Sequence, residues 1–398
     1  MLARMRFPLR SVIAALAASA LSAFASCADD SADAPPGGPG PGSGAGAPYD
    51  GGVTDADGGG GGSPYDAGDA GVTPVLIGVT PSPRSDHPGD PTAGDLLEAE
   101  LTTFAVGVRG VVVTRTLRDL DDDGALASLD GLGDFYAAHD KRVLFNLALV
   151  DRLTDGRPAP LDALPWDAPE VALAVREALD AVLASFGDGL AYLTIGRDVD
   201  AYLAAHAGER AAFEQAAADA CAYAAAHPAA PGGLRVGVGF SFEGASTSPS
   251  FPALLAAGDA AVLSYVPGLS SGQAPPTSTV AGALDAMAAL AGGRPLILQA
   301  VGYPSSPDAA GSDEKQRAFF QTLFDALGPR RAAFELVNVV ELHDPSQAAC
   351  DARAIAQGEP PAGPFARFAC SLGLFDQGAA EKPAWIEVAS GAAAFATP

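Results

Sequence analysis

The sequence predicts an α/β protein, a (β/α)8 TIM barrel preceded by a disordered tether rich in Gly, Pro and Asp. Three observations indicate this fold. Eight short runs rich in Val, Ile and Leu recur along the chain, helical stretches separate them, and about 325 residues follow the tether, enough for one large barrel. A doubly wound open sheet is the alternative, but residues 79–83 after the first run are not the glycine-rich phosphate loop that such a sheet needs.

Residues 1–26 are typical of a bacterial lipoprotein signal peptide. Three arginines precede an apolar run over residues 11–24, which is too short to span a bilayer comfortably. The run ends in Phe-Ala-Ser before Cys27 and resembles a lipobox, whose cysteine is lipidated; an ordinary signal peptide is the alternative. Lipidation of Cys27 would hold the protein on a membrane, so we expect an exported, membrane-anchored lipoprotein that is periplasmic or at the cell surface.

Residues 27–73 carry the candidate lipidated cysteine and then a segment of Gly, Pro, Ala, Ser and Asp. Such a composition offers little apolar surface to bury, so the segment cannot offset the entropy of ordering it and is predicted to be a disordered linker. Its eight charged residues are all acidic, which favours an extended chain.

The charge balance limits the classes of partner that the domain predicted over residues 74–398 can bind. The net charge of -25 divides into +3 in the signal segment, -8 in the tether and -20 in the domain. Nucleic-acid binding needs clustered Lys and Arg, so we expect no nucleic-acid partner. A second long apolar run is not found in the sequence, and we therefore expect contact with the membrane through the N-terminal lipid anchor only.

The predicted domain alternates strands with helices. The helical pattern is clearest over residues 170–186, 209–227, 279–291 and 313–327, and Ser312 is a suitable N-cap for the last of these helices. The eight predicted strands are residues 75–80, 110–114, 143–150, 191–196, 235–242, 261–266, 295–301 and 334–342. In a barrel the active site lies at the carboxyl ends of the strands, so the residues after each run are the candidates.

Three cysteines lie in the domain. Cys350 and Cys370 flank a segment containing Pro and Gly, and in an exported protein this arrangement favours one disulfide. Cys221 lies in an Ala-rich helical run, where we expect a buried free thiol. We expect no cofactor and no metal, because neither His nor Cys occurs at ligand spacing around these positions.

The residues at the ends of the fourth and seventh predicted strands resemble the catalytic strand ends of retaining (β/α)8-barrel glycoside hydrolases, with endo-galactanase-like enzymes as the nearest family. Residues 193–198 read Leu-Thr-Ile-Gly-Arg-Asp, where the clan has Ile-Gly-Asn-Glu ending in its acid/base. Residues 299–304 read Gln-Ala-Val-Gly-Tyr-Pro, where the clan has Gln-Glu-Val-Gly-Tyr-Pro with the nucleophile as Glu. Residues 334–344 and 371–385 resemble the eighth strand and the closing segment of the same enzymes.

This resemblance implies a glycoside-hydrolase-like barrel that has lost its retaining pair. Asp198 stands at the acid/base position with one methylene fewer, and Ala300 stands at the nucleophile position. Arg197 is expected to favour the ionised form of Asp198, whereas an acid catalyst must hold its proton. The resemblance therefore implies an oligo- or polysaccharide partner and a pseudoenzyme with lost or strongly reduced hydrolysis.

Other strand-end residues are candidates for catalysis or ligand binding, with a salt bridge or a solvated rim as the alternative for each. Glu243 follows the fifth predicted strand and Glu341 lies at the end of the eighth, and either could act with Asp198 in a working hydrolase. A non-catalytic scaffold lipoprotein is a third hypothesis. The candidate ligand-binding residues are Arg115, Asp151, Arg197, Tyr265, Gln299, Tyr303 and His343.

Overall fold

Eight parallel strands close into a barrel in a computed structural model that describes residues 74–84, 92–121 and 123–396. The predicted signal peptide, Cys27 and the predicted tether lie outside the described residues. The strands are β1 Leu76–Val79, β2 Gly110–Arg115, β3 Arg142–Asp151, β4 Leu190–Arg197, β5 Arg235–Ser241, β6 Ala261–Tyr265, β7 Leu296–Val301 and β8 Phe334–Val339. All eight overlap the predicted runs, and the TIM-barrel prediction is confirmed.

Parallel pairing runs around the whole ring. The closing pair is β1 with β8, in which Leu76 lies beside Leu336, and β1 also pairs with β2. A two-residue strand, Thr154–Asp155, turns back antiparallel on the end of β3 and was not predicted. Register irregularities occur towards the carboxyl ends of the β3–β4, β6–β7 and β7–β8 pairs, where bulges commonly re-aim side chains beside active sites.

Eight helices cover the outside of the barrel. The Ser312 hydroxyl accepts a hydrogen bond from the Lys315 amide and caps the seventh helix, as predicted. The helices are α1 Ala93–Ala105, α2 Asp123–Ala138, α3 Pro169–Phe186, α4 Arg210–Ala226, α5 Phe251–Ala257, α6 Val280–Ala291, α7 Asp313–Leu327 and α8 Ala384–Phe395. Shorter helices in the loops are Ala159–Asp162, Val199–Ala205, Phe242–Ala245, Gln347–Ala356 and Pro364–Ala369.

The interior of the barrel changes from apolar to polar along the strands. One apolar cluster inside the barrel contains Leu144, Tyr192, Ile297 and Leu336. Because alternate residues of a strand face the same side, the residues two positions later also point inward, one layer nearer the carboxyl ends. Those residues are Asn146, Thr194, Gln299 and Asn338, all buried. The barrel therefore has an apolar base and a polar floor beneath its mouth.

The cysteines are arranged as predicted. Cys350 and Cys370 form a disulfide with a Cα–Cα distance of 5.6 Å, linking two short helices after β8. Cys221, a residue of α4, is a buried free thiol, and burial raises its pKa to about 12. Across the described ranges, none of the helices combines the length and the apolar character needed to cross a membrane.

Candidate functional site

The end of β4 turns sharply before the short helix Val199–Ala205. Gly196 and Asp198 both have left-handed backbones, with φ of 73° and 48°. Glycine adopts this conformation freely and aspartate tolerates it better than most residues, which allows the strand to turn within three positions. The turn places the Asp198 side chain at the barrel mouth, where it is 6% exposed.

An open cleft of about 360 Å³ lies at the mouth, beside the ends of β3, β4, β5 and β6. This volume is near the lower end of the range for pockets that bind organic ligands. Most of the lining residues are polar or charged, although apolar atoms contribute more of the lining surface. Its polar residues include Arg152, Asp198, Asp200, Ser241, Glu243 and Ser264.

Asp198 is held in an environment that favours its protonated form. Burial and the neighbouring Asp200 carboxylate raise its pKa from 3.8 to about 6, although the Ser264 hydroxyl and two arginines act in the opposite direction. The Arg197 guanidinium donates to Asp151 through Nε at 2.7 Å and through Nη2 at 2.5 Å. Arg197 acts on Asp198 in the expected direction, since it lowers the pKa of that carboxyl, but burial and the Asp200 carboxylate outweigh its effect.

Two further carboxylates share the cleft with Asp198. Asp200 accepts hydrogen bonds from the Ser241 amide at 2.7 Å and the Ser241 hydroxyl at 2.8 Å. Gly244 packs against it so closely that any Cβ there would lie 1.9 Å from the Asp200 carboxylate. Glu243, predicted as a candidate, lies on the exposed rim, where desolvation and Asp200 raise its pKa.

Sequence reasoning missed Asp200 and Arg152 as cleft residues. Asp200 stands two positions after Asp198 in the same motif, which was the available signal. Arg152 directly follows β3 and has a left-handed backbone with φ of 53°, which brings it to the lining. Its guanidinium lies 5.2 Å from the centre of the Phe365 ring.

A polar chain supports the floor of the cleft. Gln299 donates to the Ser264 hydroxyl at 3.2 Å and accepts from the Thr194 hydroxyl at 3.5 Å. The Ser264 hydroxyl in turn lowers the pKa of the Asp198 carboxyl. Gln299, a predicted ligand-binding residue, is thus placed beneath the lining, where it positions Ser264. Ala300 is paired in register with Ser264 and is 7% exposed.

Glu341 is placed apart from the three cleft carboxylates. It is buried, and it accepts a hydrogen bond from the Arg353 guanidinium at 2.9 Å. Because this ion pair engages the carboxylate, the structure supports Glu243 rather than Glu341 as the carboxylate that shares the cleft with Asp198.

Two predicted ligand-binding tyrosines lie in the apolar layer between strands and helices. Tyr303 stacks on Phe319 of α7 with ring centres 4.9 Å apart, and its hydroxyl donates to the Pro275 carbonyl at 2.8 Å. Tyr265 contacts the same Phe319 ring, with centres 5.8 Å apart. Both side chains therefore face outward from the barrel, away from the cleft.

Arg115 and His343 are also buried away from the cleft lining. Arg115 shares the outer face of β2 with Val113, and its guanidinium donates to the Thr114 carbonyl at 2.6 Å. The His343 ring nitrogen Nδ1 lies 2.6 Å from the Ser82 carbonyl oxygen. These contacts stabilise the fold.

Comparison with known proteins identifies the fold type. No family model and no curated protein matches the chain. The GH5_18 protein from Streptomyces cattleya, solved in complex with GlcNAc, is 18% identical with a TM-score of 0.63, and the match covers 82% of each chain. A variant of the GH5_18 protein from Bifidobacterium longum subsp. longum, solved with Manβ1-4GlcNAc, is 18% identical with a TM-score of 0.59, covering 81% of this chain and 79% of that one.

A third similar structure is an exo-β-1,4-mannosidase from Opitutaceae bacterium strain TAV5. It is 17% identical with a TM-score of 0.59, and the match covers 81% of this chain and 60% of that one. At these identities the likeness shows the fold alone. The chain has a glycoside-hydrolase-like barrel, as the strand-end motifs implied.

Proposed function

We propose that the protein binds an oligo- or polysaccharide in the mouth of its barrel and does not hydrolyse it by the retaining mechanism. One observation carries this proposal: an open cleft lined by carboxylate and hydroxyl groups at the strand ends is combined with an alanine, Ala300, on β7 beside Ser264. The retaining mechanism needs a second carboxyl group about 5 Å from the acid, and a methyl group cannot attack the anomeric carbon.

The lining suits sugar hydroxyl groups. Carboxylates at Asp198 and Asp200 and hydroxyls at Ser264 and Thr247 supply hydrogen-bonding groups around the cleft. Proteins with a similar fold were solved with GlcNAc and with Manβ1-4GlcNAc, which supports a glycan as the class of ligand. Because the described lining lacks aromatic rings, we expect hydrogen bonds and charge, rather than stacking, to hold the sugar.

A second candidate function is inverting hydrolysis by Asp198 with Glu243. The pKa of Asp198, raised to about 6 by burial, suits a general acid that must hold its proton near neutral pH. Glu243 lines the same cleft and could activate water if the two carboxyl groups stand about 6.5–9.5 Å apart. We place this function second because glycan binding, unlike inverting hydrolysis, does not require a particular distance between the two carboxyl groups.

Binding and turnover assays on one preparation distinguish these functions. We expect the purified protein to bind at least one glycan on an array and to release no more than trace reducing sugar from a polysaccharide panel. Robust turnover that Asp198→Ala abolishes would establish the second candidate. Asp325→Asn, an exposed position near the C-terminal end of α7, is the matched control for loss of one carboxylate. Absence of binding and turnover together would leave the scaffold hypothesis.

We also propose that a lipid on Cys27 anchors the barrel to a bacterial membrane, in the periplasm or at the cell surface. The arginines and apolar run before Cys27 support this proposal. The protein is expected in the membrane fraction, and the Cys27→Ser variant in the soluble fraction. Equal membrane association of both proteins would contradict lipid anchoring through this cysteine.

A further inference from the structure

We infer that the ligand of the cleft is an amino sugar with a free, protonated amino group, such as an oligomer of glucosamine. This inference rests on the proposed glycan-binding function and names the chemical class of the glycan. It depends on the charge of the lining and on one buried carboxylate oxygen that lacks a donor.

The cleft has an excess of negative charge. Asp198, Asp200 and Glu243 line it together with a single guanidinium, that of Arg152. The nearby Arg197 forms a bidentate ion pair with Asp151, and this pair carries no net charge, although Arg197 still lowers the pKa of Asp198. A ligand cation would complement the remaining negative charge.

The carboxylates are close enough to repel one another. Asp200 contributes to raising the pKa of Asp198 and also that of Glu243. Arg152 lowers all three pKa values, and Arg197 lowers that of Asp198, yet burial outweighs these effects for all three residues, and repulsion by Asp200 adds to it for Asp198 and Glu243. An ammonium group among the carboxylates would relieve the repulsion directly.

Asp198 provides the independent observation. The residue is 6% exposed, it lines the cleft, and its Oδ1 atom is buried without a hydrogen-bond partner among the described residues. Buried polar atoms are nearly always paired, so an orphaned acceptor beside an open cleft indicates where a ligand donor belongs. An ammonium group offers three N–H donors and the opposite charge.

The remaining lining favours a sugar over a bare ion. The cleft volume of about 360 Å³ falls within the range for organic ligands and greatly exceeds what a single ion fills. Hydroxyl groups of Ser264, Thr247 and Ser270 lie around the same space and can bond to ring hydroxyls. An amino sugar presents both an ammonium group and neighbouring hydroxyls on one ring.

Calorimetric titration with two matched oligomers tests the inference. The probes are the tetramer of glucosamine and the tetramer of N-acetylglucosamine, titrated into the full-length protein at pH 7 and low salt. We expect the free amine to bind at least about 10-fold more tightly, since a hydrogen bond between charged groups contributes that much. Added salt should reduce this preference, because it screens charges.

Variants of the cleft carboxylates test whether the preference for the glucosamine tetramer arises in the cleft. Asp198→Asn should reduce the preference to less than about 3-fold, because the isosteric amide removes the charge. Glu243→Gln, at the exposed rim, is a second variant that leaves the buried floor intact and should reduce the preference partly. The control Asp325→Asn should keep it in full.

Each outcome bears on one proposal. Equal affinity for the two tetramers, or a preference that survives both cleft variants, overturns the inference. Binding of neutral glycans without binding of the glucosamine tetramer also overturns it and leaves the proposed function standing. If the protein binds neither tetramer nor any glycan of the array, the proposed function fails, and the inference fails with it.

Discussion

Replacing Asp198 with asparagine should stabilise the protein above pH 6 and leave its stability nearly unchanged at pH 4. In the folded protein, burial and the Asp200 carboxylate raise the pKa of Asp198 from 3.8 to about 6. Between these two pH values the folded state holds a proton that the unfolded state has released. The stability of the wild-type protein therefore falls as pH rises through this window, and the loss is complete above pH 6.

The expected magnitude follows from the two pKa values. Each pKa unit corresponds to about 1.4 kcal/mol, so the ionised Asp198 side chain destabilises the folded state by up to about 3 kcal/mol at pH 8. Asparagine has the same shape as aspartate, but it carries no charge. About 3 kcal/mol is an upper limit for the gain, because the new amide nitrogen also needs a hydrogen-bond partner.

Urea unfolding of both proteins from pH 4 to pH 8 measures this effect, with Asp325→Asn as the control. Asp344, whose pKa burial raises to about 6, and Glu100, with a pKa of about 8, also titrate near this range. Both residues are present in both proteins, so the difference in unfolding free energy isolates Asp198. A difference that does not change with pH, or a variant less stable than wild type at pH 8, would refute the reasoning.

Three further predictions concern stability and are all measured by urea unfolding. Lys382→Met should destabilise the protein by about 3–5 kcal/mol. The substitution removes the cation that lies 2.5 Å from the buried Asp344 carboxylate and leaves that charge unpaired. A loss of less than about 1 kcal/mol would contradict this. Glu100→Gln should stabilise the protein increasingly as pH rises from 4.5 to 8. Burial raises the pKa of Glu100 to about 8, so the wild-type protein loses stability across that pH range. A difference in unfolding free energy between variant and wild type that does not change with pH would count against this prediction. Replacing Cys350 and Cys370 by serine should lower stability by about 3 kcal/mol, as expected for a closed loop of this size, and dithiothreitol should have no further effect.

The fold was predictable because its signal is repeated eight times. Strands of a parallel barrel are buried on both faces, so each appears in the sequence as a continuous apolar run between helical stretches. The two-residue strand Thr154–Asp155 could not be predicted, since so short a segment has no periodicity and depends on pairing with β3.

The candidate site was only partly predictable. Asp198 and Glu243 line the cleft, as their positions after strands suggested. For β6, alternation along the strand distinguishes the two faces: Ser264 points into the barrel, and the more conspicuous Tyr265 points outward to α7. The alternation of inward and outward residues along β6 therefore indicates Ser264, rather than Tyr265, as the candidate ligand-binding residue.

The Arg197–Asp151 pair shows what the sequence could not provide. The two residues are 46 positions apart and become neighbours across β3 and β4 only after a register shift beyond Leu147. A bulge of this kind depends on the pairing of two distant strands, so no local pattern indicates it. Without that pairing, the sequence did not identify Asp151 as the ion-pair partner of Arg197.

The surroundings of Asp198 bear on whether the mouth of the barrel still binds a ligand. A buried carboxylate with an unpaired oxygen and a raised pKa destabilises a protein, and an apolar residue of similar size would remove that cost. In a purely structural protein we would not expect such a buried carboxylate at the cleft. We would also not expect a buried glutamine, Gln299, that donates a hydrogen bond to the lining residue Ser264. Strain of this kind is common at functional sites, where a ligand supplies the missing interaction. The alanine at position 300 on β7 and the environment of Asp198 at the end of β4 therefore support the proposed glycan binding over both the retaining reaction and a purely structural role.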